Sequence, residues 1–159
     1  MKNTAIIIPT RLEAKRFRNK PLVKINGIPM IVHVLNRAKE SQVGEVFVAT
    51  PDNKIIDIVE ENGGQAILTK HDHPSGSDRV YEAYLKQLKD NVDLIINLQG
   101  DMPNIKPDSI SKLEKLMRQK DCDIGTLASL IKTNDEIIEA NVVKVEVDQV
   151  LEKDSFLVA

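Results

Sequence analysis

One cysteine, no tryptophan and an aromatic content of 3% already exclude several classes for these 159 residues. The lone Cys122 rules out an internal disulfide framework and leaves no cysteine cluster for zinc. No apolar stretch approaches the roughly 20 residues that a membrane-spanning helix needs. Met1-Lys2-Asn3 leads into a short apolar segment without a signal-peptide cleavage pattern. Twenty-two basic residues against 24 acidic ones give a net charge of -2, so the broad basic face of a sequence-independent nucleic-acid binder is missing too. Internal repeats, low-complexity tracts and linkers are likewise lacking. What remains, 42% apolar and 29% charged, is expected to be a soluble cytoplasmic domain spanning 1–159, long enough to bury a core.

Four short apolar runs alternate with longer segments of helical period. They are Ala5–Ile8, Val46–Ala49, Ala66–Leu68 and Leu94–Leu98. Each is continuous and rich in β-branched residues, as expected of strands covered on both faces. Between them, Pro29 suits the first position of a helix whose stripe is Met30, Ile31, Val34, Leu35 and Ala38. Asp52 or Asn53 can cap a second helix that stops at Gly63-Gly64, Ser77 can cap a third, and Pro107 opens a fourth. This rhythm predicts an α/β fold, Rossmann-like and doubly wound on a mostly parallel sheet. Beyond Asp123, Ile124–Ile131 reads as a longer strand, Asp135–Ala140 as a short helix, and Val143–Asp148 as a strand with one solvated face. The final run Ser155–Ala159 ends without a turn, so the expectation is a fold whose C-terminal part is missing.

In an open parallel sheet, ligands bind outside the carboxyl ends of the strands. Four loops qualify, at 9–21, 50–53, 69–77 and 99–105, and they hold most of the unusual residues. The first packs Arg11, Lys15, Arg16, Arg18 and Lys20 into ten positions just after a buried strand. Arginine grips phosphate oxygens bidentately and lysine acts as a point charge, so this loop suits a polyphosphate. By spacing alone it suits a solvated basic loop equally well. Walker and dinucleotide glycine patterns are both absent.

In the fourth loop, Gln99-Gly100-Asp101-Met102-Pro103, the Asp101 carboxylate stands at a strand end suited to Mg²⁺. Taken alone this is a plain turn; opposite a basic loop the metal reading gains weight. Gly100 would let a ligand approach the backbone. The third loop offers Ser75, Gly76 and Ser77 at a helix start, suited to reading a base or ribose. His71 and His73 lack a third metal ligand in sequence and are expected to be solvated. His33 is expected to be structural, and Cys122 a packed or idle thiol.

Several segments together resemble the 3-deoxy-manno-octulosonate cytidylyltransferases of the nucleotide-sugar transferase superfamily. Ile8-Pro9-Thr10-Arg11, Arg16 and Lys20-Pro21-Leu22 are similar to that family's opening Ile-Pro-Ala-Arg loop. Ile25–Ile31 and Val48-Ala49-Thr50 continue the match. His73-x-Ser75-Gly76-Ser77-Asp78-Arg79 and Asn97-Leu98-Gln99-Gly100-Asp101-x-Pro103 are its most specific parts. The resemblance runs from about Ala5 to Asp148, in order. It implies attack of the sugar acid's anomeric hydroxyl on the α-phosphate of CTP, with loss of pyrophosphate. It also implies roles: Arg11 and Lys20 would neutralise the triphosphate with Arg16 assisting, and Asp101 would ligand Mg²⁺. Gln99, His73, Ser75, Gly76 and Ser77 would line the cytidine pocket. The product, CMP-linked 3-deoxy-manno-octulosonate, would feed lipopolysaccharide synthesis in a bacterial cytoplasm.

The chain departs from the pattern at Ala14, Arg18 and Asn19, where the family has Ser, Pro and Gly, at Pro51 for Asp, and at Met102 for Glu. Losing the glycine constrains the loop, although asparagine tolerates a left-handed backbone better than most residues. Family members also continue beyond residue 159, supplying most sugar-acid contacts and much of a dimer interface. The expectation is therefore a truncated chain of impaired activity. A non-catalytic remnant that binds CTP and Mg²⁺, or a transferase for another sugar acid, are the alternatives.

Overall fold

A computed structural model describes residues 3–13, 18–119 and 122–146. Strand β1 (Thr4–Pro9) is buried along its whole length. A single 3-10 turn at Lys20–Leu22 follows, then a small hairpin of β2 (Lys24–Ile25) and β3 (Ile28–Pro29). Helix α1 (Met30–Glu40), β4 (Glu45–Thr50), α2 (Asn53–Glu61), β5 (Gln65–Leu68), α3 (Gly76–Gln87), β6 (Leu94–Asn97) and α4 (Pro107–Gln119) then alternate, and α5 (Asn134–Ile138) comes last. All four apolar runs are strands.

They form one parallel sheet in the order β5-β4-β1-β6. In register, Ile6 lies opposite Val46 on one side and Ile96 on the other. Alternate residues of each strand face opposite helical layers. Ile6, Ile8, Val46 and Val48 pack with Ile31 and Leu35 of α1, Ile55 and Val59 of α2, and Ile110 of α4. Ala5, Ile7, Phe47, Ala49 and Ile67 pack with Val80 and Ala83 of α3. The sheet is thus doubly wound. Each fully buried Ile, Leu or Val stabilises by about 1.5–3 kcal/mol, so these two layers fix the sheet and everything mounted on its edge.

From β1 the chain winds outward through β4 to β5, then crosses back to β6 on the far side of β1. That reversal sets the carboxyl ends of β1 and β6 side by side, and the loops that follow them lead to α1 and α4 on the same face of the sheet; ligands of open parallel sheets bind at such carboxyl ends. Among the described residues no helix is long and apolar enough to cross a membrane.

Several local expectations need correction. Residues 124–131 and 143–146 are not in any ladder. The apolar content is there, but a strand also needs a neighbour to take its N–H and C=O groups, and among the described residues the sheet ends at β6. Ile124 is consequently 88% exposed. Residues 147–148 of the second expected strand lie outside the described residues. The third helix is capped by Ser75, whose side chain accepts from the Asp78 N–H while Asp78 accepts from the Ser75 N–H. Ser77 is instead the second residue of that helix, because the reciprocal pair with an acid three residues on outweighs an isolated serine. Helix α1 begins one residue after Pro29, and α5 spans Asn134–Ile138, capped by Thr133 and Glu136 in the same reciprocal way. Asp52 precedes α2 but its side chain makes no cap bond.

Candidate nucleotide site

Past the end of β1 the ladder persists for one more residue, with the Thr10 N–H donating to Ala49 O at 3.0 Å. The chain then leaves the sheet. The Leu12 N–H donates to Asp52 Oδ2 at 2.8 Å, and the Asn19 N–H donates to Leu12 O at 3.0 Å, closing the base of the basic loop. Asn19 sits in the left-handed region, at φ 57°. Asparagine takes the conformation that glycine would otherwise supply. Directly after it, Lys20 enters the 3-10 turn and its Nζ donates to Asp101 Oδ2 at 2.7 Å. Both side chains are largely open to solvent, 42% and 50% exposed. An ion pair that exposed contributes about 0–1 kcal/mol, too little to shape the fold. It marks instead where a cation and a carboxylate are held together by the sheet. Arg11 is exposed on the same loop. Arg16 lies outside the described residues.

The close approach allowed by two glycines is between protein segments. A Cβ on Gly100 would lie 3.1 Å from Pro9 O and 3.3 Å from Thr10 Cβ. A Cβ on Gly76 would lie 3.3 Å from Pro9 Cγ. Both glycines thus let their loops press against the end of β1, and the space expected for a ligand at Gly100 is filled by β1 itself. Three of the four loops meet there.

Residues 69–79 are braced from beneath by Arg79, which is 3% exposed. Its guanidinium donates to Thr69 Oγ1, to Lys70 O at 2.8 Å and to His71 O at 3.4 Å. Burial, and then the charge of Arg11, draw the Arg79 pKa below its ordinary value, while Asp52 and Glu82 act the other way. The guanidinium stays charged regardless. His73 is not the solvated histidine expected: its Nε2 pairs with Glu82 Oε2 on α3, and both side chains are mostly buried. Glu82 also accepts from the Lys70 N–H at 2.9 Å and pairs with Lys86 Nζ at 2.8 Å. Burial pushes the Glu82 carboxyl up, but bonds from Lys86, His73 and the Lys70 N–H outweigh it and bring it to about 2. His73 therefore holds the loop on α3 through its imidazole.

At the mouth, Asn97 Nδ2 donates to Ser77 Oγ at 3.3 Å, and Gln99 Nε2 donates to Asn97 Oδ1 at 3.2 Å. This chain joins the start of α3 to the loop after β6 and leaves Gln99 Oε1 outside it as an acceptor. Of the residues singled out in sequence, Lys20 and Asp101 are in contact, Ser77 and Gln99 share this chain, and Ser75, Gly76 and His73 build the intervening loop. Asp52, Asn97 and Arg79 were overlooked as functional candidates. Each had a signal: a carboxylate after β4, a polar residue closing the apolar run of β6, and an arginine in the quoted Ser-Gly-Ser-Asp-Arg segment. Among the described residues no three His, Cys, Asp or Glu side chains group around one metal position.

Comparison with known proteins shows the family of the chain. A family model described as Cytidylyltransferase matches residues 5–156. A 3-deoxy-manno-octulosonate cytidylyltransferase from Rhodopseudomonas palustris (strain BisB18) is 47% identical over 143 residues, which is 89% of this chain and 58% of the relative. The protein of the same name from Nitrobacter winogradskyi is 46% identical over 142 residues, 89% of this chain and 56% of the relative. This chain thus spans just over half the length of the curated relatives it matches. Among solved structures, CMP:2-keto-3-deoxy-manno-octonic acid synthetase complexed with CTP superposes with a TM-score of 0.70 at 42% identity, over 74% of this chain and 48% of that one. A cytidylyltransferase from Leptospira borgpetersenii, 23% identical, shares the fold with a TM-score of 0.66 over 76% of this chain and 51% of its own. With the match running almost from end to end, the chain belongs to the cytidylyltransferase family.

Proposed function

We propose that these 159 residues carry the nucleotide-binding part of a cytoplasmic cytidylyltransferase. It joins CMP from CTP to 3-deoxy-manno-octulosonate and releases pyrophosphate, for lipopolysaccharide synthesis. The observation that carries this reading is the meeting of Lys20 with Asp101 at the carboxyl ends of β1 and β6. A magnesium nucleotide needs cations for its phosphates and a carboxylate for its metal within one triphosphate's reach, and this edge supplies both.

In this reading the sugar acid's anomeric oxygen bonds to the α-phosphorus, its proton leaves to solvent or a base, and the bond to the pyrophosphate oxygen breaks. Arg11 and Lys20 neutralise charge on the phosphates, work that is mostly positioning and electrostatics. Asp101 fits Mg²⁺: the ion is held by one or two carboxylates plus phosphate oxygens rather than by a protein cage, which agrees with a single half-exposed acid. When bound, Mg²⁺ draws charge from the phosphate oxygens. With nucleotide and metal bound, Lys20 would serve the phosphates and Asp101 would hold the metal, each in place of the other. At about 0–1 kcal/mol the loss of their ion pair costs little.

Equilibrium titration of CTP with and without Mg²⁺ tests the reading, comparing the wild type with Arg11→Ala, Lys20→Ala and Asp101→Ala. Each substitution is expected to weaken CTP·Mg²⁺ binding by about tenfold or more. Indifference of the affinity to Arg11→Ala and Lys20→Ala would overturn it.

A further inference from the structure

Asp52 has the sequence position of a helix cap and does something else. Its carbonyl accepts from the Ile55 and Ile56 N–H groups and so starts α2, but its side chain makes no bond to that helix. Oδ2 reaches across to the basic loop and accepts the Leu12 N–H at 2.8 Å. The mount beneath it is rigid. Thr50 is fully buried, its Oγ1 accepts the Asp52 N–H at 3.2 Å, and the ring of buried Pro51 fixes the backbone between them. The start of the loop is also held by the ladder bond at Thr10, by the Asn19–Leu12 bond at its far end, and by the Leu12 side chain packed against the core. Leu12 is therefore tied on both sides, by its N–H to Asp52 and by its C=O to Asn19.

A carboxylate is an odd choice beside a pocket meant for phosphate. Asp52 is close enough to Arg79 for its charge to oppose the effect of Arg11 there. A negative charge in that place opposes triphosphate binding, so the carboxylate has to offset that cost in another way. Deepening the function proposed above, and resting on it, we infer that Asp52 is a positioning residue: it pins Leu12, and through the Asn19–Leu12 bond the residue before Lys20, so that Arg11 and Lys20 are already placed for the triphosphate. The loop then gives up less conformational entropy on binding.

Three roles for Asp52 give three different results. The full-length chain carrying Asp52→Ala or Asp52→Asn is titrated with CTP·Mg²⁺, and hydrogen exchange is followed at the Leu12 amide. An asparagine Oδ1 still accepts the Leu12 N–H without the charge. Positioning requires Asp52→Ala to weaken CTP·Mg²⁺ binding by about tenfold and speed Leu12 exchange, with Asp52→Asn within about threefold of wild type in both. If the charge were what mattered, both variants would move affinity together and in the same direction. If Asp52 merely stabilised α2, Asp52→Ala would lower the melting temperature and leave affinity and Leu12 exchange alone. Either of those patterns overturns the inference. Weakening by Arg11→Ala and Lys20→Ala but not by Asp52→Ala removes this inference and leaves the proposed function standing. Failure of the wild type to bind CTP removes both.

Discussion

Lys20 Nζ and Asp101 Oδ2 lie 2.7 Å apart although 81 residues separate them in the chain. The two arrive by different routes, one from the 3-10 turn that ends the loop after β1, the other from the loop after β6, and the sheet's reversal between those strands brings them together. The pair contributes almost nothing to stability in water; the nucleotide of the proposed function would use both charges.

That reading predicts opposite behaviour of one variant in two buffers. Without divalent metal, Asp101 repels a triphosphate, so Asp101→Ala should bind CTP at least as tightly as the wild type. With Mg²⁺ the wild type should gain affinity by about tenfold or more while the variant gains little. Calorimetric titrations in EDTA and in Mg²⁺ measure both arms. An equal Mg²⁺ gain in the two proteins would remove Asp101 from the metal site.

Base preference follows from the direction of one hydrogen-bond chain. With Gln99 Nε2 donating to Asn97, which donates to Ser77, the free Gln99 oxygen is an acceptor. An acceptor suits the amino group of cytosine and opposes the O4 of uracil. Asn97→Ala frees the Gln99 amide to turn, so it should narrow the preference for CTP over UTP by about tenfold while leaving binding of inorganic triphosphate unchanged. Competition between the two nucleotides reads the ratio, and an unchanged ratio would detach Gln99 from base recognition.

The sheet was legible in the sequence because buried parallel strands are written as continuous β-branched runs, and Ala5–Ile8 and Val46–Ala49 are hard to read otherwise. The site was legible in part, since the carboxyl-end rule selects the loops without knowing their contacts. What stayed hidden depends on partners far away in sequence. Nothing local tells that Asp52 bonds to Leu12 or that His73 turns back onto Glu82. Both Ser75 and Ser77 offer a cap in sequence, and only the reciprocal partner Asp78 decides for Ser75. Residues 124–131 were read as a strand because apolar content can be counted and a missing ladder neighbour cannot. The β2–β3 hairpin carries a local signal, Asn26-Gly27 with φ of 50° and 83°, the pair a two-residue turn prefers.

Asn19 makes a separable prediction about the loop's backbone. At φ 57° an alanine is strained by about 1–2 kcal/mol, whereas a glycine adopts the same conformation freely. Asn19→Ala should lower stability by about that amount and weaken CTP·Mg²⁺ binding, because Lys20 follows immediately. Asn19→Gly should restore the affinity. Chemical denaturation and nucleotide titration of both variants check it. Equal affinity in alanine and glycine variants would show that this backbone conformation does not set the position of Lys20.

Glu82 sets an acid limit on the third loop. Its carboxyl is lowered from 4.5 to about 2, with burial opposing and the bonds from Lys86, His73 and the Lys70 N–H prevailing. A carboxylate with a depressed folded-state pKa stabilises above its unfolded value, and that contribution drains away as pH falls through the folded one. The window is therefore pH 4.5 down to about 2. Glu82→Gln should be less stable than the wild type at pH 6, and the gap should close as the pH is taken down through that window. Urea midpoints from pH 6 to pH 2.5 measure the two curves. Curves that stay parallel to the lowest pH would mean that the ionised form of Glu82 is not what holds His73 and Lys70 against α3.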